Sequence, residues 1–112
     1  MALLTATSVP GGTAVSVSAV AVNSSDTISG SDIGLYGALL VVNNGGGSPI
    51  TVTITDPGVT AVGNAGTTVA QSVPASGRRW LRILPGHVNR STGVATVTYS
   101  GTTSVTAELV RS

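Results

Sequence analysis

The sequence contains no cysteine, phenylalanine or lysine among its 112 residues. The lack of cysteine excludes disulfide bonds, thiolate metal sites and cysteine nucleophiles, and it leaves the redox compartment open. Charged residues make up 8% of the chain, whereas they average about 25% of soluble domains. Five arginines against four acidic residues give a net charge of +1, which is too little for a phosphate-binding surface. Nucleic acid is therefore not an expected partner.

Long hydrophobic runs are missing as well. The longest uncharged apolar stretch, residues 33–42, is far shorter than the roughly 20 residues that a membrane-spanning helix needs. The uncharged segment 1–22 lacks the basic start of a signal peptide, and Pro10-Gly11-Gly12 interrupts it. We therefore expect a soluble protein that is made in the cytoplasm without a cleaved leader and that has no membrane partner.

Five small residue types dominate the chain. Seventeen Val, 16 Thr, 15 Gly, 14 Ser and 12 Ala supply 74 of the 112 positions. Val and Thr favour strands, whereas Gly and Ser favour turns. This composition and length predict a single all-β domain over residues 1–112, in which residues 1–12 form an extended N-terminal arm.

Alternating apolar and polar residues mark the clearest strand. In residues 50–55, Ile50, Val52 and Ile54 fall on one face and three threonines on the other. The apolar run 37–42 precedes it and is short enough for a strand that is covered on both faces. We predict that the two strands form a hairpin with a flexible tip at Gly45-Gly46-Gly47, and that Asp56-Pro57-Gly58 ends the second strand.

The C-terminal half predicts a meander of four further strands. They cover residues 67–73, 78–84, 94–99 and 103–111, with a turn at 74–77. Period-two parity pairs Val69 with Val73, Leu81 with Ile83 and Val97 with Tyr99 on shared faces, and it places inward Val105, Ala107 and Leu109. In the N-terminal third the parity of the valines changes, which a bulge or break near Ser18-Ala19 would explain. The whole pattern predicts seven to nine short, mainly antiparallel strands in a β-sandwich or small barrel, and no helix.

Catalytic and metal-binding patterns are not found in the sequence. His87 is the only candidate base, and it has no partner at a recognisable spacing. Asp26 and Asp32 lie six residues apart without the alternating oxygen ligands of a calcium loop, so we predict solvated turn aspartates. No Gly-Lys-Ser/Thr follows the triple glycine. We expect neither enzymatic activity nor a bound cofactor or metal.

One group of large side chains stands out. Arg78, Trp80 and Arg82 share one face of the strand 78–84, and Trp and Arg are enriched at binding hot spots. His87 and Arg90 follow in the next loop and would extend the same surface. We predict that these five residues contact a protein partner. A second interpretation is equally open at this point, in which Trp80 caps the core and the arginines are only solvated.

The core predicted from these strands is thin. Most inward positions hold Val or Ala, which bury less apolar surface than Leu or Phe. Small domains of this kind often gain stability from a partner, and open strand edges need covering. Both arguments favour an oligomer or an assembly component over a free monomer.

Three stretches within residues 37–111 form a recognisable pattern: Asn43-Asn44-Gly45-Gly46-Gly47-Ser48-Pro49 within residues 41–58, Thr68-Val69 with Val73-Pro74-Ala75-Ser76-Gly77, and Val97-Thr98-Tyr99-Ser100 within residues 93–111. In these stretches the chain resembles the small head proteins of tailed bacteriophages, of the capsid decoration or cement type. The resemblance implies a structural virion protein that binds the outer capsid surface and stabilises the shell. It also implies a homotrimer, with the major capsid protein lattice as partner. The alternative is a carbohydrate- or receptor-binding β-sandwich module of a phage tail or cell-surface protein.

Overall fold

The computed structural model describes residues 3–33, 37–58, 61–64 and 70–111. In this part of the chain, regular structure is almost entirely β. One helical turn, α1 (Gly30–Ile33), and one 3-10 turn (Pro85–His87) interrupt the strands. The ten strands are β1 (Leu3–Leu4), β2 (Thr7–Ser8), β3 (Val20–Ala21), β4 (Ser25–Ser29), β5 (Ala38–Asn44), β6 (Ile50–Ile54), β7 (Ala70–Val73), β8 (Gly77–Ile83), β9 (Val94–Tyr99) and β10 (Val105–Arg111).

The strands form two sheets. Sheet A has the order β1-β4-β9-β6-β7, and sheet B has the order β2-β10-β5-β8, with β3 also paired to β10. The pairs β1–β4 and β2–β10 are parallel, and the other pairs are antiparallel. The predicted all-β, mainly antiparallel fold is confirmed. The strand count exceeds seven to nine because β1, β2 and β3, each two residues long, are too short for periodicity to detect.

The hydrophobic core lies between the two sheets. Leu40 and Val42 of sheet B and Val52 and Val97 of sheet A are completely buried in it. The parity predicted for β6, β8, β9 and β10 is confirmed at every described inward position, with Ile54 only partly buried against the core. The predicted Val69 lies outside the described residues.

The predicted hairpin of β5 and β6 is wrong. β5 pairs with β8 and β10 in sheet B, whereas β6 pairs with β7 and β9 in sheet A. Residues 45–49 therefore cross from one sheet to the other, and the triple glycine belongs to this crossing rather than to a hairpin tip. Alternation specifies which face of each strand is buried, but it does not specify the neighbouring strand.

The predicted C-terminal meander is also wrong. From β4 onward, successive strands change sheet at every connection except the one between β6 and β7. β8, β9 and β10 consequently do not pair with one another; β9 lies between β4 and β6, and β10 pairs with β5. Such crossings let each short strand cover the inner face of the opposite sheet, which is how a sandwich core closes.

The N-terminal third follows the edges of both sheets. β1 pairs with β4 of sheet A, and β2 and β3 both pair with β10 of sheet B. Residues 9–19 between β2 and β3 contain no strand, so Val15 and Val17 are not part of one. The parity change near Ser18-Ala19 therefore marks the start of β3, where Val22 just beyond it enters the core.

Candidate protein interface on the outer face of sheet B

Sheet B presents a three-strand outer face made by β8, β5 and β10. The cross-strand register places Trp80 opposite Val41 and Val41 opposite Glu108. The neighbouring rows are Arg78, Asn43 and Thr106 on one side, and Arg82, Leu39 and Val110 on the other. We call this set of nine residues the outer face of sheet B. Its β8 side is basic, its centre is apolar, and one carboxylate lies on β10.

Trp80 is the most prominent apolar residue of this face. It is 59% exposed, whereas Val41 beside it is 6% exposed. The adjacent Leu81 points the other way, into the core. The alternative in which Trp80 caps the core is therefore wrong, because the indole lies on the opposite side of the sheet. An exposed indole next to a covered valine offers an anchor that a partner surface can bury.

Hydrogen bonds hold one row of the outer face in place. The Arg78 Nε donates to Asn43 Oδ1, and Asn43 Nδ2 donates to Thr106 Oγ1 at 3.5 Å. These contacts link β8, β5 and β10. Arg79 has the inward parity of Leu81 but is exposed, and its Nη1 donates to the Arg78 carbonyl oxygen at 2.8 Å. The guanidinium of Arg79 thus lies beside the backbone of β8.

His87 and Arg90 lie beyond the end of β8, outside the three paired strands of the outer face. Both lie in residues 84–93, the connection that leaves sheet B and enters sheet A. The Leu84 N–H donates to His87 Nδ1 at 2.9 Å, so the imidazole proton of the neutral ring is on Nε2. Val88 packs against the core, and Arg90 is exposed in the turn that follows. These two residues therefore do not belong to the outer face.

The two aspartates of the N-terminal third, Asp26 and Asp32, both accept hydrogen bonds. Asp26 on β4 is completely buried and accepts hydrogen bonds from the Asn23 N–H and Asn23 Nδ2, both at 3.2 Å. Asp32 is half-buried and accepts from the Ala6 N–H at 3.3 Å. The prediction of two solvated turn aspartates is wrong, since Asp26 is buried on a strand and both carboxylates accept hydrogen bonds from backbone N–H groups.

The Tyr99 hydroxyl, on β9 of sheet A, is a buried polar group. It has no hydrogen-bond partner among the described residues. Burial, together with the negative charge of Asp26, raises the pKa of this phenol well above its ordinary value. Neither Asp26 nor Tyr99 is open to a substrate, so the pair has a structural role in the core.

A groove lies at the end of sheet B opposite β8, next to β2, β3 and β10. It has a volume of about 410 Å³, a floor of Leu4, Ala107 and Leu109, and a rim that includes Thr5, Thr7, Ser16 and Ser18. Sequence reasoning missed it because the groove forms between distant segments whose pairing with β10 gave no periodic signal. No aromatic ring lines it within the described part of the chain.

Among the described residues, no group of three or more His, Asp or Glu side chains is placed to hold a metal ion. Nor does any helix in these ranges have the length and apolar character to cross a membrane. No protein-family model, curated protein or solved structure matches the chain.

Proposed function

We propose that this chain is a structural virion protein of the capsid decoration type, which binds the outer surface of a phage head and stabilises the shell. The observation that carries the proposal is the 59% exposed Trp80, which lies between Arg78 and Arg82 on a sheet face. The resemblance over residues 37–111 supplies the class of partner, a major capsid protein lattice. The proposal includes no catalytic step and no cofactor.

The outer face of sheet B has the composition of a binding hot spot. Truncating a hot-spot residue to alanine costs about 2 kcal/mol or more of binding free energy, and Trp and Arg are enriched among such residues. Leu39, Val41 and Val110 are apolar residues on the same face as the indole, and the half-buried Glu108 adds one negative charge. A partner that covers the indole would exclude water from these neighbours as well.

We further propose that the protein acts as a homotrimer at local threefold positions of the capsid. Each contact through a single small sheet face would be weak. Three linked contacts gain roughly 10²–10⁴ in avidity when the spacing of the sites on the lattice matches that of the oligomer. Lattice spacing of this kind exists only in the assembled shell, so assembled shells should be preferred over free capsid subunits.

A carbohydrate- or receptor-binding module is the second candidate, and the groove of about 410 Å³ is the observation that favours it. Its volume falls in the range of ligand pockets, about 300–1,000 Å³. Sugar rings usually stack on aromatic side chains, and Trp80 lies on the other side of sheet B from this groove. The capsid proposal is therefore the better supported of the two.

A sedimentation experiment tests the proposal. The protein is mixed with expanded shells, immature shells and dissociated capsid subunits of the phage that encodes it, and the bound protein is counted. We expect saturable binding to expanded shells, at least tenfold weaker binding to subunits, and loss of binding in Trp80→Ala. Val62→Ala is the matched control, because Val62 is exposed but lies outside the outer face. Absence of binding to every shell would overturn the proposal and favour the receptor-binding module.

A further inference from the structure

Asn44 is followed by a glycine, and this pair of residues is chemically labile in an unfolded chain. Asn44-Gly45 is the only Asn-Gly pair in the sequence. Asparagine is a thermolabile residue, because the backbone nitrogen of the next residue can attack the side-chain carbonyl carbon. A following glycine has no Cβ to shield that nitrogen, and its backbone reaches the required conformations easily. In an unfolded chain the attack is therefore faster at Asn44 than at the other asparagines.

The reaction is a cyclisation followed by a hydrolysis. The Gly45 nitrogen forms a bond to Asn44 Cγ, the Cγ–Nδ2 bond breaks, and the proton lost by the Gly45 nitrogen leaves with Nδ2 as ammonia. Water then opens the cyclic imide at one of its two carbonyl carbons, which gives either aspartate or isoaspartate at position 44. Nothing is oxidised or reduced, and water is the only co-reactant.

The folded protein holds the Asn44 side-chain amide with three hydrogen bonds. Nδ2 donates to the carbonyl oxygens of Ser48 and Val73, and Oδ1 accepts from the Gly46 N–H. Cyclisation requires the reacting atoms to be close and correctly oriented. Turning Cγ toward the Gly45 nitrogen and releasing Nδ2 would break all three bonds. The fold therefore opposes the first step at the carbon that is attacked.

The attacking nitrogen is also held in place. The Gly45 N–H donates to the Ser104 carbonyl oxygen at 2.8 Å, and a hydrogen-bonded amide gives up its proton readily only when its segment opens. Asn44, the last residue of β5, pairs with Gly77 of β8 and with Val105 of β10. Gly45 itself is exposed. The protection thus comes from these bonds and pairings, and not from exclusion of water.

Neither product fits the position that Asn44 occupies. An ionised aspartate has only acceptor oxygens, and one of them would replace Nδ2 opposite the carbonyl oxygens of Ser48 and Val73. A buried charge without a donor is strongly destabilising, and position 44 is 2% exposed. Isoaspartate adds a methylene group to the backbone where β5 leaves sheet B. Either product removes the contact between β5 and β7.

We propose that Asn44-Gly45 is a spontaneous deamidation site that the folded protein suppresses and whose products prevent refolding. The modification limits the time for which an unfolded chain can still fold, whereas the folded protein keeps its amide. This inference does not depend on the proposed function, because it needs neither a partner nor a capsid.

Incubation of the intact protein with and without guanidinium chloride tests the suppression. Both samples are kept at the same pH and temperature, and peptide mapping by mass spectrometry measures aspartate and isoaspartate at position 44. We expect the folded sample to react roughly 20-fold or more slowly, since it must open first. A blocked peptide of residues 41–48 is the control for solvent effects and should react at the unfolded rate in both solutions. Equal rates at Asn44 in the folded and unfolded protein, after that correction, would overturn the proposal.

Refolding after increasing times in denaturant tests the effect of the products. The fraction of chains that regains the folded circular dichroism spectrum should fall in step with the modified fraction, and the refolded protein should contain unmodified Asn44. Recovery of modified chains to the same extent as unmodified ones would overturn the second half of the proposal.

Two variants give a matched comparison. Asn44→Asp begins as one of the products, and we expect it not to refold under conditions in which the wild type does. Asn43→Asp is the control on the preceding residue. Asn43 is only half-buried, and its Oδ1, which an aspartate retains, accepts from Arg78 Nε. Asn43→Asp should therefore refold, and equal behaviour of the two variants would contradict a specific effect at position 44.

Discussion

The side-chain amide of Asn44 on β5 donates a hydrogen bond to the carbonyl oxygen of Val73 on β7, 3.3 Å away, and so connects sheet B to sheet A. The same Nδ2 donates to the Ser48 carbonyl at 2.8 Å, and Oδ1 accepts from the Gly46 N–H at 3.0 Å. Asn44 is 2% exposed. One buried amide therefore holds both the crossing loop 45–49 and the neighbouring sheet.

Replacing Asn44 should destabilise the fold without changing the outer face. Asn44→Ala removes three hydrogen bonds, one of them to the buried Val73 carbonyl, which we expect to lower the free energy of unfolding by about 2–4 kcal/mol. Urea denaturation followed by far-UV circular dichroism measures this change. Ser48→Ala is the control, because it keeps the carbonyl that Asn44 contacts; an equal loss in both variants would contradict the role of the amide.

Gly37 should not tolerate a side chain. Its φ is +88°, and a Cβ at this position would lie 2.6 Å from the Ile83 carbonyl oxygen. We expect Gly37→Ala to cost about 2–4 kcal/mol, from the left-handed backbone and from the overlap together. At Gly47 a Cβ meets nothing within 4 Å, so Gly47→Ala should stay near wild-type stability. Thermal unfolding of the two variants in parallel provides the comparison.

The unpartnered hydroxyl of Tyr99 predicts a stabilising substitution. Tyr99→Phe removes a buried oxygen that has no hydrogen bond among the described residues. We expect the free energy of unfolding at pH 7 to stay unchanged or to rise by up to about 1 kcal/mol. A loss of more than 1 kcal/mol, on the order of a normal hydrogen bond, would show that the hydroxyl has a partner.

Tyr99 should also make stability depend on alkaline pH. Its pKa in the folded protein is raised, whereas in the unfolded chain it stays near the ordinary value of about 10. Above that value the unfolded state loses a proton that the folded state keeps. The contribution of Tyr99 to the free energy of unfolding is therefore fully present below a pH of about 10 and is lost as the pH rises further. Urea midpoints between pH 8 and 11 should fall less in Tyr99→Phe than in the wild type.

A further comparison separates the core from the outer face. Leu40→Ala empties a completely buried position, which should cost about 2–5 kcal/mol. Trp80→Ala removes a side chain that is 59% exposed, and surface changes of this kind usually stay within about 1 kcal/mol. In shell binding, measured with folded protein, we expect Trp80→Ala to lose affinity and Leu40→Ala to bind like the wild type. Equal destabilisation would place Trp80 in the core.

Period-two patterns predicted the fold class because they depend on burial alone. Leu81 and Ile83 were placed inside and Trp80 outside from parity, and the structure agrees. Strand neighbours could not be obtained in the same way. β5 and β6 are adjacent in sequence, yet they lie in different sheets. From β4 onward, every connection except that between β6 and β7 crosses from one sheet to the other. These crossings do not change the alternation of apolar and polar residues within either strand.

The candidate site was partly predictable for the same reason. Arg78, Trp80 and Arg82 share a strand, so parity alone places them together. His87 and Arg90 were grouped with them by nearness in sequence, but the chain turns toward sheet A after Leu84. Val41 and Glu108 could not be assigned to the face at all, because their place beside Trp80 depends on the register of three strands. The buried Asp26 gave no signal, since its partner Asn23 lies in the adjoining loop.

The central position of β10 constrains the order in which sheet B can fold. Its seven residues come last in the described chain, yet they contact β2, β3 and β5 and form the centre of sheet B. The two-residue strands β2 and β3 have no other partner in this sheet, so neither can pair until β10 is in place. Sheet B can therefore form only once β10 is available, and a substitution that disrupts β10 should unfold the sheet as a whole rather than release one edge.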